Sequence, residues 1–341
     1  MFSYLFPKGS LGIEITTKYV RFVHLSKRGD KFRLENFGRI MLQTDIFSEG
    51  VLKKTEELYR VLKNILRESH EKQIRISIPG DSQRFFSLKL PQGNTESLVD
   101  DIIFHLKEHV LFHEGKDALA DVRIINTDED SVFVRTVLVP LAWFQGFKKV
   151  LSVFSKSNLH IEGSNQASVL ASYKKEESKG SRLHVQFGDD TSSFSVIEHG
   201  KIVSYQEFPF STHRFLLEVQ KRLTKPSEVA SSYLSHLGIL GADVREFSEN
   251  SISPIAFLLD HAILEYGRET GNTIQEVTLG GTFGGYRGVS QIFTKHLRIS
   301  VHEAYPWKTF DYRFDDSIFA MKKHETLEYL TALGLSLDGM K

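Results

Sequence analysis

One pattern of residues occurs twice in this chain, once in each half, and it restricts the possible folds more than any other feature. In the first copy, residues 11–15 read as a strand, Thr16-Thr17-Lys18 as a tight polar turn and 19–25 as a second strand. Residues 26–31, with Gly29-Asp30 as turn signal, then lead into a third strand over 32–41. The second copy repeats the plan: strand 183–187, turn Gly188-Asp189-Asp190-Thr191, strand 193–198, turn His199-Gly200, strand 201–208. Glu14 in the first unit corresponds to Gln186 in the second. Almost no identity survives between the copies, so the repeat is one of architecture. Two such units predict two sheets and two lobes, and 341 residues exceed what one hydrophobic core ordinarily holds.

Other elements fit around these units. Leu58, Val61, Leu62, Ile65 and Leu66 form one apolar stripe and predict a helix over 52–68, followed by a buried strand at 74–78. Strands at 84–90, 120–126 and 131–139, with helices from Asn94 or Thr95 to Leu111 and over 141–155, predict a small α+β insert. After the second copy, helices are predicted over 211–223, 226–237 and 255–268. A strand at 274–279 feeds the Gly-rich segment 280–288, then come a helix to Leu297, a strand at 299–302 and a last helix over 325–337. The resulting plan is a first lobe at 1–80, the insert at 81–156, a connecting helix and linker at 157–180, a second lobe at 181–317, and a C-terminal helix at 318–341 returning to the first lobe.

Composition removes several functions. Lys+Arg and Asp+Glu both number 43, so the basic excess with which proteins displace counterions from nucleic acid is missing. No nucleic-acid partner is expected. The same balance argues against an anionic membrane surface as main partner. With no cysteine, disulfides, thiolate metal sites and cysteine nucleophiles are excluded together. The most apolar stretch, 136–144, is interrupted by Pro140 and falls far below the ~20 residues that span a bilayer. Membrane association is therefore expected through a partner, without direct insertion.

The order and spacing of several short motifs resemble the PilM family of type IV pilus assembly proteins. They are Leu11-Gly12-Ile13-Glu14-Ile15-Thr16-Thr17-Lys18-Tyr19-Val20, Leu34-Glu35-Asn36-Phe37-Gly38, Ile78-Pro79-Gly80, Leu88-Lys89-Leu90-Pro91, Phe208-Pro209-Phe210 and Ala332-Leu333-Gly334-Leu335. The resemblance spans nearly the whole chain. It implies an α/β actin-like fold: a duplicated, ribonuclease H-like, two-lobe architecture with an α+β subdomain inserted in the first lobe. It further implies a cytoplasmic protein, peripheral to the inner membrane, docking the short N-terminal cytoplasmic segment of a PilN-like single-pass partner. A homodimer is compatible with it. Arg84, Phe85, Phe86 and Leu88, on the first strand of the insert, are the candidate wall of the docking groove, because main-chain pairing at a strand edge suits an extended peptide.

Proteins of that fold hold ATP and Mg²⁺ between lobes with two phosphate-cradling hairpins and one Gly-rich turn under the adenosine. The resemblance places the first hairpin at Glu14, Thr16, Thr17 and Lys18, the second at Gln186, Gly188, Asp189, Asp190 and Thr191, and the adenosine turn at Gly280, Gly281 and Thr282. The expected aspartates are Glu14 and the neutral Gln186, and Thr16 replaces a glycine whose bare backbone would approach phosphate. A degenerate nucleotide site, with nucleotide binding weak or lost and efficient hydrolysis not expected, is the reading that follows; no catalytic residue and no metal ligand is assigned. Its rivals are an active enzyme of the same fold and an FtsA-like filament former. His105, His109 and His113, spaced four apart, read as a solvated helix face rather than zinc ligands. No serine stands in a nucleophile-elbow context.

Overall fold

The computed structural model describes residues 8–43, 46–48, 51–77, 84–91, 101–102, 104, 118–127, 130–173, 180–306, 313–321 and 323–340. The first meander forms as predicted: β1 (Lys8–Ile15), β2 (Tyr19–Arg28) and β3 (Lys31–Met41) pair antiparallel in sequence. A two-strand ribbon, β4 (Phe47–Ser48) and β5 (Val51–Leu52), leads to helix α1 (Thr55–Ser69). Strand β6 (Gln73–Ser77) then returns parallel to β1.

The insert is a three-stranded antiparallel sheet. Its strands are β7 (Arg84–Pro91), β8 (Ala118–Thr127) and β9 (Ser131–Pro140), with β9 in the middle. The helix predicted to end at Leu111, and with it the three histidines, falls largely outside the described residues. Helix α2 (Leu141–Leu151) leaves the insert and sends Phe147 and Val150 into the first lobe's core beside Leu58, Leu62 and Ile65.

A strand not anticipated from the sequence, β10 (Asn158–Ile161), pairs parallel to β6 and completes a sheet of order β10-β6-β1-β2-β3. Helix α3 (Ser164–Ser172) crosses to the second lobe. There β11 (Ser181–Phe187), β12 (Ser192–Glu198) and β13 (Lys201–Phe208) repeat the meander. Helices α4 (Thr212–Leu223), α5 (Ser227–His236) and α6 (Arg245–Thr270) follow. Strand β14 (Ile274–Gly280), a single helical turn α7 (Gly281–Gly284), α8 (Val289–Leu297) and β15 (Ser300–Glu303) complete the lobe. The second sheet reads β13-β12-β11-β14-β15, with parallel and antiparallel pairs in the same places as in the first. The repeat inferred from two turn patterns is thus a repeat of whole five-stranded sheets.

Two helices differ from expectation for stated reasons. Helix α6 begins ten residues before Ile255 and runs through Pro254. Proline removes one backbone donor and costs roughly 3 kcal/mol in a helix interior, but Ile252, Ile255, Ala256 and Leu259 stay on one buried stripe, which offsets it. Ser251 and Ser253 donate their hydroxyls to the carbonyls of Phe247 and Glu249, back-bonding that accompanies bent helices. The C-terminal helix is broken at Tyr329 into α9 (Lys323–Glu328) and α10 (Leu330–Asp338).

Helix α10 lies directly on β1. A methyl group at Gly12 would overlap the Ala332 carbonyl oxygen, so only glycine permits this approach. With α1 on its other side, β1 is buried on both faces: Leu11, Ile13 and Ile15 on one, Ser10, Gly12 and Glu14 on the other. The second core differs in being aromatic, with Phe283 at 4.6–4.8 Å from the rings of Phe187, Phe210 and Phe215.

Candidate functional site between the lobes

Strand register determines what reaches the cleft. Across the first hairpin Glu14 faces Arg21, with Ser77 beside it on β6; at the equivalent places in the second sheet stand Gln186, Ser193 and Gly280. The two hairpin turns meet each other. Thr16 Oγ1 donates to Asp189 Oδ2 at 3.3 Å, and the Thr17 hydroxyl donates to the Asp190 carboxylate. Lys18 Nζ lies 2.7 Å from His213 Nδ1, near the start of α4.

The second turn is anchored from behind. Thr212 N donates to Gly188 O at 3.1 Å and His213 N to Asp189 O at 3.2 Å. Ser211 caps α4 by accepting from Arg214 N at 3.1 Å, while its own hydroxyl donates to Asp189 O at 2.6 Å. Thr191 ends this turn before β12.

Arg21 is the centre of the cleft. Its Nη2 donates to both Asp189 oxygens, at 3.0 and 2.8 Å, its Nη1 to Glu14 Oε2 at 3.3 Å, and its Nε to Glu328 Oε1 at 3.3 Å. Arg21 is 4 % exposed and Glu14 8 %. Burial pulls the guanidinium pKa down, but Asp189, Glu14 and Glu328 together outweigh burial and hold it above its ordinary value. Burial raises the Glu14 carboxyl; Arg21 opposes that, and Asp189 adds to it. Burial likewise lowers Lys18, against the pull of Asp189 and Asp190.

These contacts leave a cavity of about 80 Å³, whose lining includes Ser77, Gln186, Gly188, Thr282 and Thr331. Small-molecule pockets ordinarily measure roughly 300–1,000 Å³. The Ser77 hydroxyl and Gln186 Oε1 are buried there without a hydrogen-bond partner. The Gly-rich turn serves packing: Gly281 has φ +80°, and a side chain on it would strike the Phe187 carbonyl. Among the described residues, no group of three or more histidines and carboxylates is placed to hold a metal ion.

Of the residues proposed for nucleotide contact, Glu14, Thr16, Thr17, Gln186, Gly188, Asp189, Asp190, Thr191, Gly281 and Thr282 line this one cavity, while Lys18 turns to His213 and Gly280 lies on β14 beside Gln186. Of the four docking candidates, Leu88 alone has a described side chain. Leu88 is half-buried against Leu90, Ile102, Val132, Val134 and Leu138, while the side chains of Arg84, Phe85 and Phe86 lie outside the described residues. Sequence reasoning missed Arg21 and Glu328. Arg21 was visible as a lone cation within the apolar run Val20 to Leu25, seven residues after Glu14 across a short turn. Glu328 gave no signal, since only folding brings it near.

No family model matches the sequence. No curated protein matches it either. Solved structures do. The PilM–PilN type IV pilus biogenesis complex superposes with a TM-score of 0.78 at 16% identity, over 97% of this chain and 98% of that one. Ethanolamine utilization protein EutJ from Carboxydothermus hydrogenoformans gives 0.57 at 13% identity, over 98% and 91%. MreB 5 of Spiroplasma citri bound to AMPPNP gives 0.53 at 12%, over 97% and 95%. The fold is the actin-like one, duplicated and two-lobed, as the sequence resemblance implied.

Proposed function

We propose that this actin-like chain is a scaffold of a type IV pilus or related secretion platform, docking the cytoplasmic segment of a PilN-like single-pass membrane protein and turning over no ATP. The observation that most supports the pilus reading is the grading of likeness. The superposition on the pilus complex, at 0.78 over both whole chains, stands well above the 0.57 and 0.53 of the other actin-like proteins. The non-enzymatic half draws on the cleft. Glu14 is neutralised by Arg21, Gln186 carries no charge, and the second turn offers paired acids where a phosphate cradle needs free N–H donors.

Among the described residues no helix is long and apolar enough to cross a membrane. In this reading the chain reaches the inner membrane from the cytoplasm through its partner. The test is fluorescence anisotropy with labelled peptides copying the cytoplasmic N-termini of single-pass proteins encoded beside this chain. Saturable binding by one of them, without nucleotide, is the expected result. Failure of all such peptides to bind the full chain would overturn the docking assignment.

A further inference from the structure

We propose that Arg21 is a resident cation that ties the two lobes together, so that the interlobe cleft is held shut by the chain's own charges. This deepens the scaffold reading and rests on its picture of a cleft closed to nucleotide. Three segments distant in sequence converge on one guanidinium: Glu14 from its own hairpin, Asp189 from the second lobe's turn, and Glu328 from the C-terminal segment. All three guanidinium nitrogens are used, and both Asp189 oxygens accept from the one Nη2.

Burying a guanidinium is costly and is offset only where geometry is good and the remaining lone pairs are satisfied. The Asp189 contacts meet the first, at 2.8 and 3.0 Å, and neighbouring donors serve the second. Thr16 supplies a further donor to Asp189, Thr17 one to Asp190, and Arg39 shares Glu328 with Arg21. The register position matters as much as the charge. In the second sheet Ser193 occupies Arg21's place, and a serine cannot reach beyond its own hairpin. At this register position the first lobe carries a side chain long enough to cross, and the second does not.

Arginine is required by this geometry, since three carboxylates approach in three directions and a lysine ammonium is a single point on a flexible stem. Arg21→Lys should therefore fail to hold the cleft, although it keeps the charge. A role in bulk electrostatics alone predicts full rescue by lysine.

The chain has no cysteine, so two spin labels can be placed without background. Met41, 66 % exposed at the end of β3 and paired with Tyr19, and Leu217, 38 % exposed on α4, stand on opposite lobes. Pulsed electron-electron distance measurement on the full chain should give one narrow distribution with Arg21 intact. Arg21→Gln, Arg21→Lys and Asp189→Asn should each broaden it and move it to longer distances. An unchanged distribution in the folded variants overturns the proposal. If Arg21→Gln does not fold, Asp189→Asn decides, because Asp189 stands in the turn between β11 and β12 rather than within a core strand. Loss of the fold in both would assign the charges to the lobes' own cores, which also overturns it. The measurement uses no nucleotide and no partner peptide, so its failure is distinct from failure of the docking reading.

Discussion

Where the first sheet places Arg21 opposite Glu14, the second places Ser193 opposite Gln186, and where the first turn reads Thr16-Thr17-Lys18, the second reads Gly188-Asp189-Asp190. The backbones of these hairpins repeat, with equivalent neighbours on both sides. Their chemistry does not repeat; it is complementary. One tip donates through two hydroxyls and a guanidinium, and the other accepts through two carboxylates. Two tips that both donate would converge on a shared anion. A donor tip facing an acceptor tip converges on itself. The difference teaches that a duplicated fold can retain its site geometry while exchanging a ligand for an internal contact.

The cores differ in the same way, and the largest expected effect lies there. Phe283 is fully buried among Phe187, Phe210 and Phe215 behind the second hairpin. Phe283→Ala should cost about 3–5 kcal/mol in urea unfolding. If the lobes are separate cores, the loss should appear first in the second lobe's hydrogen-exchange protection, leaving β1 protected. Equal loss in both lobes would break the comparison.

A smaller effect follows from what each lobe buries. The first buries a paired charge; the second buries His184, held between Thr278 Oγ1 at 2.9 Å and Ser168 Oγ at 3.1 Å. Burial lowers its pKa from 6.5 to about 3, with the neighbouring Gln186 side chain opposing. The unfolded chain therefore takes up a proton that the folded chain refuses. The stability from neutral His184 is complete above pH 6.5 and is lost progressively as pH falls toward about 3. The slope there should approach ~1.4 kcal/mol per pH unit. His184→Gln should flatten the pH dependence between 6 and 4, roughly the window set by those two values; an unaltered slope would place the titration elsewhere.

The smallest effect concerns the anchoring of the second turn, for which Ser211 links the α4 cap to the Asp189 carbonyl. Ser211→Ala should cost about 1 kcal/mol. Thermal unfolding would detect it, and a neutral result would mean the turn is held by the backbone bonds from Thr212 and His213 alone.

Much of this architecture was legible because it is local. Alternating or continuous apolar runs marked β1, β2 and β11, and short polar or glycine-bearing turns marked their joins. The strand Asn158–Ile161 escaped because its polar-apolar alternation runs for only four residues, three of them exposed; it exists through pairing with β6. Helix α6 was cut short because Pro254 outweighs its neighbours locally, whereas in the fold a buried stripe outweighs Pro254. At the cleft the turn residues could be placed by their resemblance, but the contacts that close it could not. Arg21 and Glu328 are 307 positions apart, and no local pattern encodes such a pair.

Isothermal titration of the full chain with Mg·ATP, paired with a phosphate-release assay, tests the self-satisfied cleft most directly. A cleft occupied by its own charges should yield no saturable heat and only background release. Stoichiometric binding with a Mg²⁺-dependent rate that Glu14→Ala abolishes would contradict it.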